Sequence, residues 1–122
     1  MEKDNIVNWF DIPVADLDRA IGFYETVMAK PLKRYQTPEI EGALLPANGV
    51  SGTLIKGKGF TPSTQGAVIY LNGGEDLSGL LSRAEKAGGK VLLPKTEIGG
   101  DMGYFAYFQD SEGNRIGIHS SG

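Results

Sequence analysis

The stretch from Asn8 to Tyr24, NWFDIPVADLDRAIGFY, passes from an alternating apolar segment straight into a helical stripe, and the rest of the chain repeats it or packs on it. In its first part Phe10, Ile12 and Val14 fall on one face and Trp9, Asp11 and Pro13 on the other, because strand side chains alternate with period two. In its second part Leu17, Ala20, Ile21, Tyr24, Val27 and Met28 recur at helical spacing as one stripe, with Asp16 placed to cap the first turn. The helix is therefore expected to cover the Phe10/Ile12/Val14 face. That leaves Trp9 and Asp11 opposite, where an indole beside a carboxylate is an unusual lining for a plain core.

Working outward, Pro31 ends this helix and three strand-like runs follow: Leu32 to Thr37, Glu41 to Ala47 and Gly52 to Lys56, the last two joined by the hairpin signal Asn48-Gly49. Residues 58–65 carry no periodicity and read as a connection. Beyond them Gly66 to Asn72 is a strand pattern, and Asp76 to Ala87 is a helical one with Leu77, Leu80, Leu81, Ala84 and Ala87 in its stripe. These positions are the first helix shifted by 60, so residues 1–57 and 66–122 are the same unit written twice. Gly88-Gly89 closes the second helix, and three strands complete the copy: Lys90 to Leu93, Gly103 to Gln109 and Asn114 to Ser120. The expected fold is a single α+β domain of two tandem βαβββ units. One helix over four strands leaves the other sheet face bare, so the two bare faces are expected to border a cleft.

Composition narrows the function. The 122 residues suffice for one core, and with no cysteine there is no disulfide, thiolate metal site or cysteine nucleophile. A net charge of -3 without a basic run argues against nucleic acid or an anionic membrane as partner. No segment approaches the roughly 18 apolar residues of a spanning helix, and the start MEKDN is unlike a signal peptide, so a soluble, cytoplasmic protein is expected. Asp110-Ser-Glu-Gly-Asn114 departs from the calcium-loop pattern, Gly57-Lys-Gly59 precedes no helix that would make it a phosphate loop, and the single histidine has no nucleophile-elbow partner.

Three segments in order, VADLDRAIGFY, RAEKAGGKVL and FQDSEGNRIGIHS, resemble the vicinal oxygen chelate superfamily, which includes glyoxalase I, fosfomycin and bleomycin resistance proteins and extradiol dioxygenases. The resemblance covers essentially the whole chain and implies the repeated βαβββ fold. It also implies a divalent metal held by His, Glu or Gln, His and Glu from the first, fourth, fifth and eighth strands. Counting from the motifs, those slots fall on Trp9, on Gly52 or Thr53, on Val68 or Ile69, and on Gly117. None supplies a strong ligand, so no cofactor is expected.

The groups left for the cleft are then Trp9 and Asp11 from the first strand, Tyr70 from the fifth, Arg115, Gly117 and His119 from the last, and from the seventh Tyr107 with Phe105, or else Tyr104 with Phe108. An aromatic lining with a few polar groups suits a partly aromatic or apolar small molecule. The alternative is a lyase or isomerase with a non-standard metal site, or with Asp11 and His119 as a metal-free acid/base pair. Asp11 is also placed to form an ion pair with Arg115. The resemblance further implies a homodimer.

Overall fold

Residues 6–122 are described by a computed structural model, and the opening stretch folds as its pattern dictates: β1 (Trp9–Pro13) leads into α1 (Leu17–Met28). Ile12 and Val14 are buried under the helix while Trp9 and Asp11 face away from it. The Asp16 carboxylate accepts the Arg19 amide at 3.0 Å as the N-terminal cap. Ala29 closes the helix in the left-handed region at φ 57°, two residues ahead of Pro31. Then come β2 (Lys33–Gln36), β3 (Ile40–Leu44) and β4 (Ser51–Gly57), giving a mixed sheet ordered β1-β4-β3-β2.

The second half repeats the plan with β5 (Tyr70–Asn72), α2 (Ser78–Lys86), β6 (Lys90–Glu97), β7 (Tyr104–Gln109) and β8 (Arg115–Ser120), ordered β5-β8-β7-β6. In both sheets the first strand pairs in parallel with the fourth, and the other pairs are antiparallel. This is the expected α+β fold of two βαβββ units. One core runs through both: Leu17, Tyr24 and Val27 of α1 join Leu80 and Ala84 of α2, together with Leu54 from the first sheet and Phe108, Ile116 and Ile118 from the second.

Three local expectations are corrected. The fifth strand begins at Tyr70 and not at Gly66, so the connection runs on to residue 69; Gly66 has φ 92°, which breaks the extended path. The sixth strand extends past Leu93 to Glu97 through Pro94, which is tolerated because β6 is an edge and the register shifts between Leu93 and Thr96, where the proline lies. The second helix starts at Ser78, and Asp76 precedes it, accepting the Ser78 amide at 2.9 Å in a local turn instead of occupying the cap position.

Candidate functional site

On the open face of the first sheet, Trp9 lies opposite Ser51, and Asp11 opposite Thr53. The Trp9 indole N–H donates to the Thr53 hydroxyl at 3.0 Å, and Thr53 is 2% exposed, so a buried polar group fixes a ring that is itself 46% exposed. Gly52 does not share this face. Its partner in β1 is Phe10, whose ring fills the place a Cβ would take at 2.3 Å, so Gly52 lies on the helix side and Thr53 holds the inward position.

On the second sheet parity is settled by burial. Phe108 is fully buried and Tyr104 packs on the core, whereas Phe105 and Tyr107 turn outward with Tyr70, Asn72 and His119. Tyr70 and Tyr107 both lie opposite Gly117 from either side of β8, and their hydroxyls meet at 2.7 Å. A Cβ on Gly117 would come within 2.6 Å of the Tyr70 ring. Gly117 is thus a seat for that tyrosine and not an open floor for a ligand. The bond to Tyr107 raises the Tyr70 pKa above the usual phenol value, burial adds to this, and the charge of Arg115 opposes it. His119 is exposed but not unpartnered, since its Nε2 is 2.7 Å from the Met102 carbonyl.

These residues do not converge on a single point. A groove of about 1100 Å³ runs between the halves, with Val7, Trp9 and Val50 on one bank and Val68, Ile69 and Tyr70 on the other. A second hollow, of about 830 Å³, lies on the second sheet alone, lined by Tyr70, Asn72, Ile98, Phe105, Tyr107 and His119. A third, of about 210 Å³, holds Asp11 and Arg115 with Thr61, Ser63, Gln65 and Asn114. Tyr70 is common to the first two. Asp11 and His119 therefore line different hollows, and Asp11 forms no ion pair with Arg115 among the described residues. Ile98 and Val50 were not singled out by sequence pattern; their signal was an apolar residue inside a glycine-containing turn, which is weak.

Besides the shared core, the turn from Asp110 to Asn114 joins the two halves by hydrogen bonds. Glu112 Oε1 accepts the amides of Ala15 and Asp16, each at 2.9 Å, and its carboxylate also receives the Arg19 guanidinium at 2.8 Å. Burial alone would raise its pKa, but the bonds from Arg19, Asp16, Ser111 and Ala15 outweigh that and hold it at about 2. Alongside, the buried Tyr24 hydroxyl donates to Asp110 at 2.6 Å, and Asn114 Nδ2 donates to the Pro13 carbonyl at 2.8 Å. Burial and the Asp110 charge push the Tyr24 phenol well above its ordinary value.

A repeated βαβββ fold with an aromatic groove between its halves defines a class, and comparison with known proteins agrees. The family model of the Glyoxalase/Bleomycin resistance protein/Dioxygenase superfamily matches residues 6–118, and the chain belongs to that superfamily. A glyoxylase-like domain-containing protein of Didymella fabae is 28% identical over 122 residues, covering 92% of this chain and 91% of its own. Among solved structures, TnmS3, an antibiotic binding protein from Streptomyces sp. CB03234, superposes with a TM-score of 0.67 at 21% identity, over 100% of both chains. Glyoxalase I from Zea mays gives a TM-score of 0.72 at 20% identity, covering 93% of this chain and 43% of the maize protein.

The divalent ion that the resemblance implies does not fit the residues present. Of the four slots, Trp9 offers only an N–H that is already donated, and Thr53 offers a neutral hydroxyl. Val68 and Ile69 are apolar, with Ile69 packed on the core, and Gly117 has no side chain. Among the described residues no three His, Cys, Asp or Glu side chains gather to hold a metal.

Proposed function

We propose that this chain is a small-molecule-binding member of its superfamily, taking a partly aromatic or apolar molecule into the groove between its halves without a divalent ion. The observation that carries the reading is the pair Trp9 and Tyr70, which are 46% and 48% exposed on opposite banks of that groove. Each is held by a hydrogen bond to a side chain of its own sheet, Trp9 to Thr53 and Tyr70 to Tyr107. Large aromatic rings left in water and held rigid are a preorganised stacking surface, because little side-chain entropy is lost when a planar molecule meets them. The antibiotic-binding description of TnmS3 supports the same reading. The acid/base alternative is less favoured, since Asp11 and His119 line separate hollows and share no hydrogen bond.

The test is calorimetric titration of the full chain with 2-naphthamide, an uncharged planar probe. Saturable binding is expected, weakened about tenfold or more by Trp9→Ala or Tyr70→Ala, since base-like stacking on one aromatic is worth roughly 1–3 kcal/mol. Absence of saturable heat up to millimolar probe overturns the reading. We further infer that two copies pair through exposed apolar residues other than those two rings, Val7, Val50, Ile98 and Met102, each at least 41% exposed. Sedimentation equilibrium giving only monomer at high micromolar concentration overturns that part.

A further inference from the structure

We propose that the molecule taken by this protein carries a single negative charge, a carboxylate on its planar body, and that Arg115 is the group that receives it; this rests on the small-molecule reading above. The chain has four arginines, and three have partners. Arg19 is paired with Glu112, Arg34 with Asp18, and Arg83 Nε donates to the Val27 carbonyl at 2.9 Å. Arg115 differs. Its Nε is buried with no hydrogen-bond partner, and among the described residues no carboxylate lies within ion-pairing distance of it.

A buried donor without an acceptor costs free energy, so its persistence calls for an explanation in function or in a partner from outside the fold. The surroundings indicate which partner. The guanidinium carbon lies 5.7 Å from the centroid of the Tyr107 ring, so the aromatic face holds the planar cation in place. Tyr107 lines the hollow that also contains Tyr70 and Phe105, while Arg115 lines the small hollow beside it with the hydroxyls of Thr61 and Ser63 and the amide of Gln65. Arg115 therefore stands where an apolar, aromatic surface gives way to a polar pocket whose only other charged side chain is Asp11. A fixed guanidinium fork with free N–H groups matches the two oxygens of a carboxylate in one plane.

The volume and charge of the small hollow narrow the class further. About 210 Å³ is room for an acid group and one ring, and because Ala67 and Ile69 line both this hollow and the groove between the halves, the rest of the planar body is placed in the groove against Tyr70. Asp11 lines the same hollow, and its carboxylate opposes a second negative charge on the ligand. A monoanion fits where a phosphate dianion is disfavoured.

The experiment compares 2-naphthoate with 2-naphthamide, which share the ring system and differ in charge, by titration calorimetry of the full chain. Wild type is expected to bind the acid about tenfold tighter than the amide, narrowing as salt is raised. In Arg115→Gln that preference falls to within about twofold, and an unchanged far-ultraviolet circular dichroism spectrum and melting temperature certify the fold. Arg115→Lys keeps the charge and loses the fork, so an intermediate preference is expected, and this variant decides the matter if the glutamine variant does not fold. Equal binding of acid and amide by wild type overturns the anion seat and leaves the aromatic groove standing. A preference that survives intact in both Arg115 variants also overturns it, and binding of neither probe overturns both readings.

Discussion

Replacing Glu112 by glutamine removes one charge from the clasp between the halves and nothing else of comparable size. The carboxylate has no exposed side-chain area, accepts two backbone amides at 2.9 Å from residues 96 and 97 positions earlier, and is bonded to Arg19, which is 55% exposed. The Arg19 contact is discounted because solvent screens it. The two amide bonds are charge-assisted and enclosed, so the variant is expected to lose about 2–3 kcal/mol, or roughly 6–15 °C in melting temperature for a chain of this size. The pH dependence has a definite sign. The folded pKa of about 2 lies below the ordinary 4.5, so the stabilisation is complete above the unfolded value and is lost as pH falls from 4.5 toward 2. Urea unfolding of wild type and Glu112→Gln at a series of pH values should show a gap that is constant near neutrality and narrows on acidification below about pH 4.5. A gap under about 0.5 kcal/mol at neutral pH, or one that does not narrow in acid, refutes the clasp.

Three further outcomes follow from the same geometry. Tyr24→Phe deletes the buried hydroxyl that donates to Asp110 at 2.6 Å and should cost about 1–3 kcal/mol by urea unfolding; a neutral substitution would mean that Asp110 is satisfied without it. Gly117→Val forces a side chain into the Tyr70 ring, so near-ultraviolet circular dichroism should change and 2-naphthamide affinity should fall, and an unaltered spectrum with wild-type affinity contradicts the placement of Tyr70. Zinc or nickel should raise the melting temperature little, because stabilisation requires preferential binding to the native state. A rise of several degrees at micromolar ion, abolished by His119→Ala, or near-stoichiometric metal in the purified protein, would reverse the reading of the site.

The sequence made the fold legible because its local signals agree with one another. The stripe of α1 and the alternation in β1 each point to the same buried face, and the shift of 60 carries both into the second half. Where local pattern and tertiary context compete, the sequence was less informative. Pro94 looks like a strand terminator until β6 is known to be an edge, and Gly52 looks like cleft floor until Phe10 is seen to cover it. The site was partly legible, in the inward parity of Trp9, Tyr70 and His119. Its division into three hollows was not, since that depends on how the halves meet. One contact that joins them, Glu112 with the amides before α1, links positions too far apart for any spacing rule to find.

The central claim is that Trp9 and Tyr70 form the binding surface, and Trp9, the only tryptophan, gives a single indole N–H resonance to follow. In a nitrogen–proton correlation spectrum of the full chain titrated with 2-naphthamide, that resonance and the Tyr70 and Val68 amides should shift together along one saturable curve, with residues of the Glu112 clasp unmoved. Saturable shifts confined to other surfaces, with the Trp9 indole unmoved, would contradict the account.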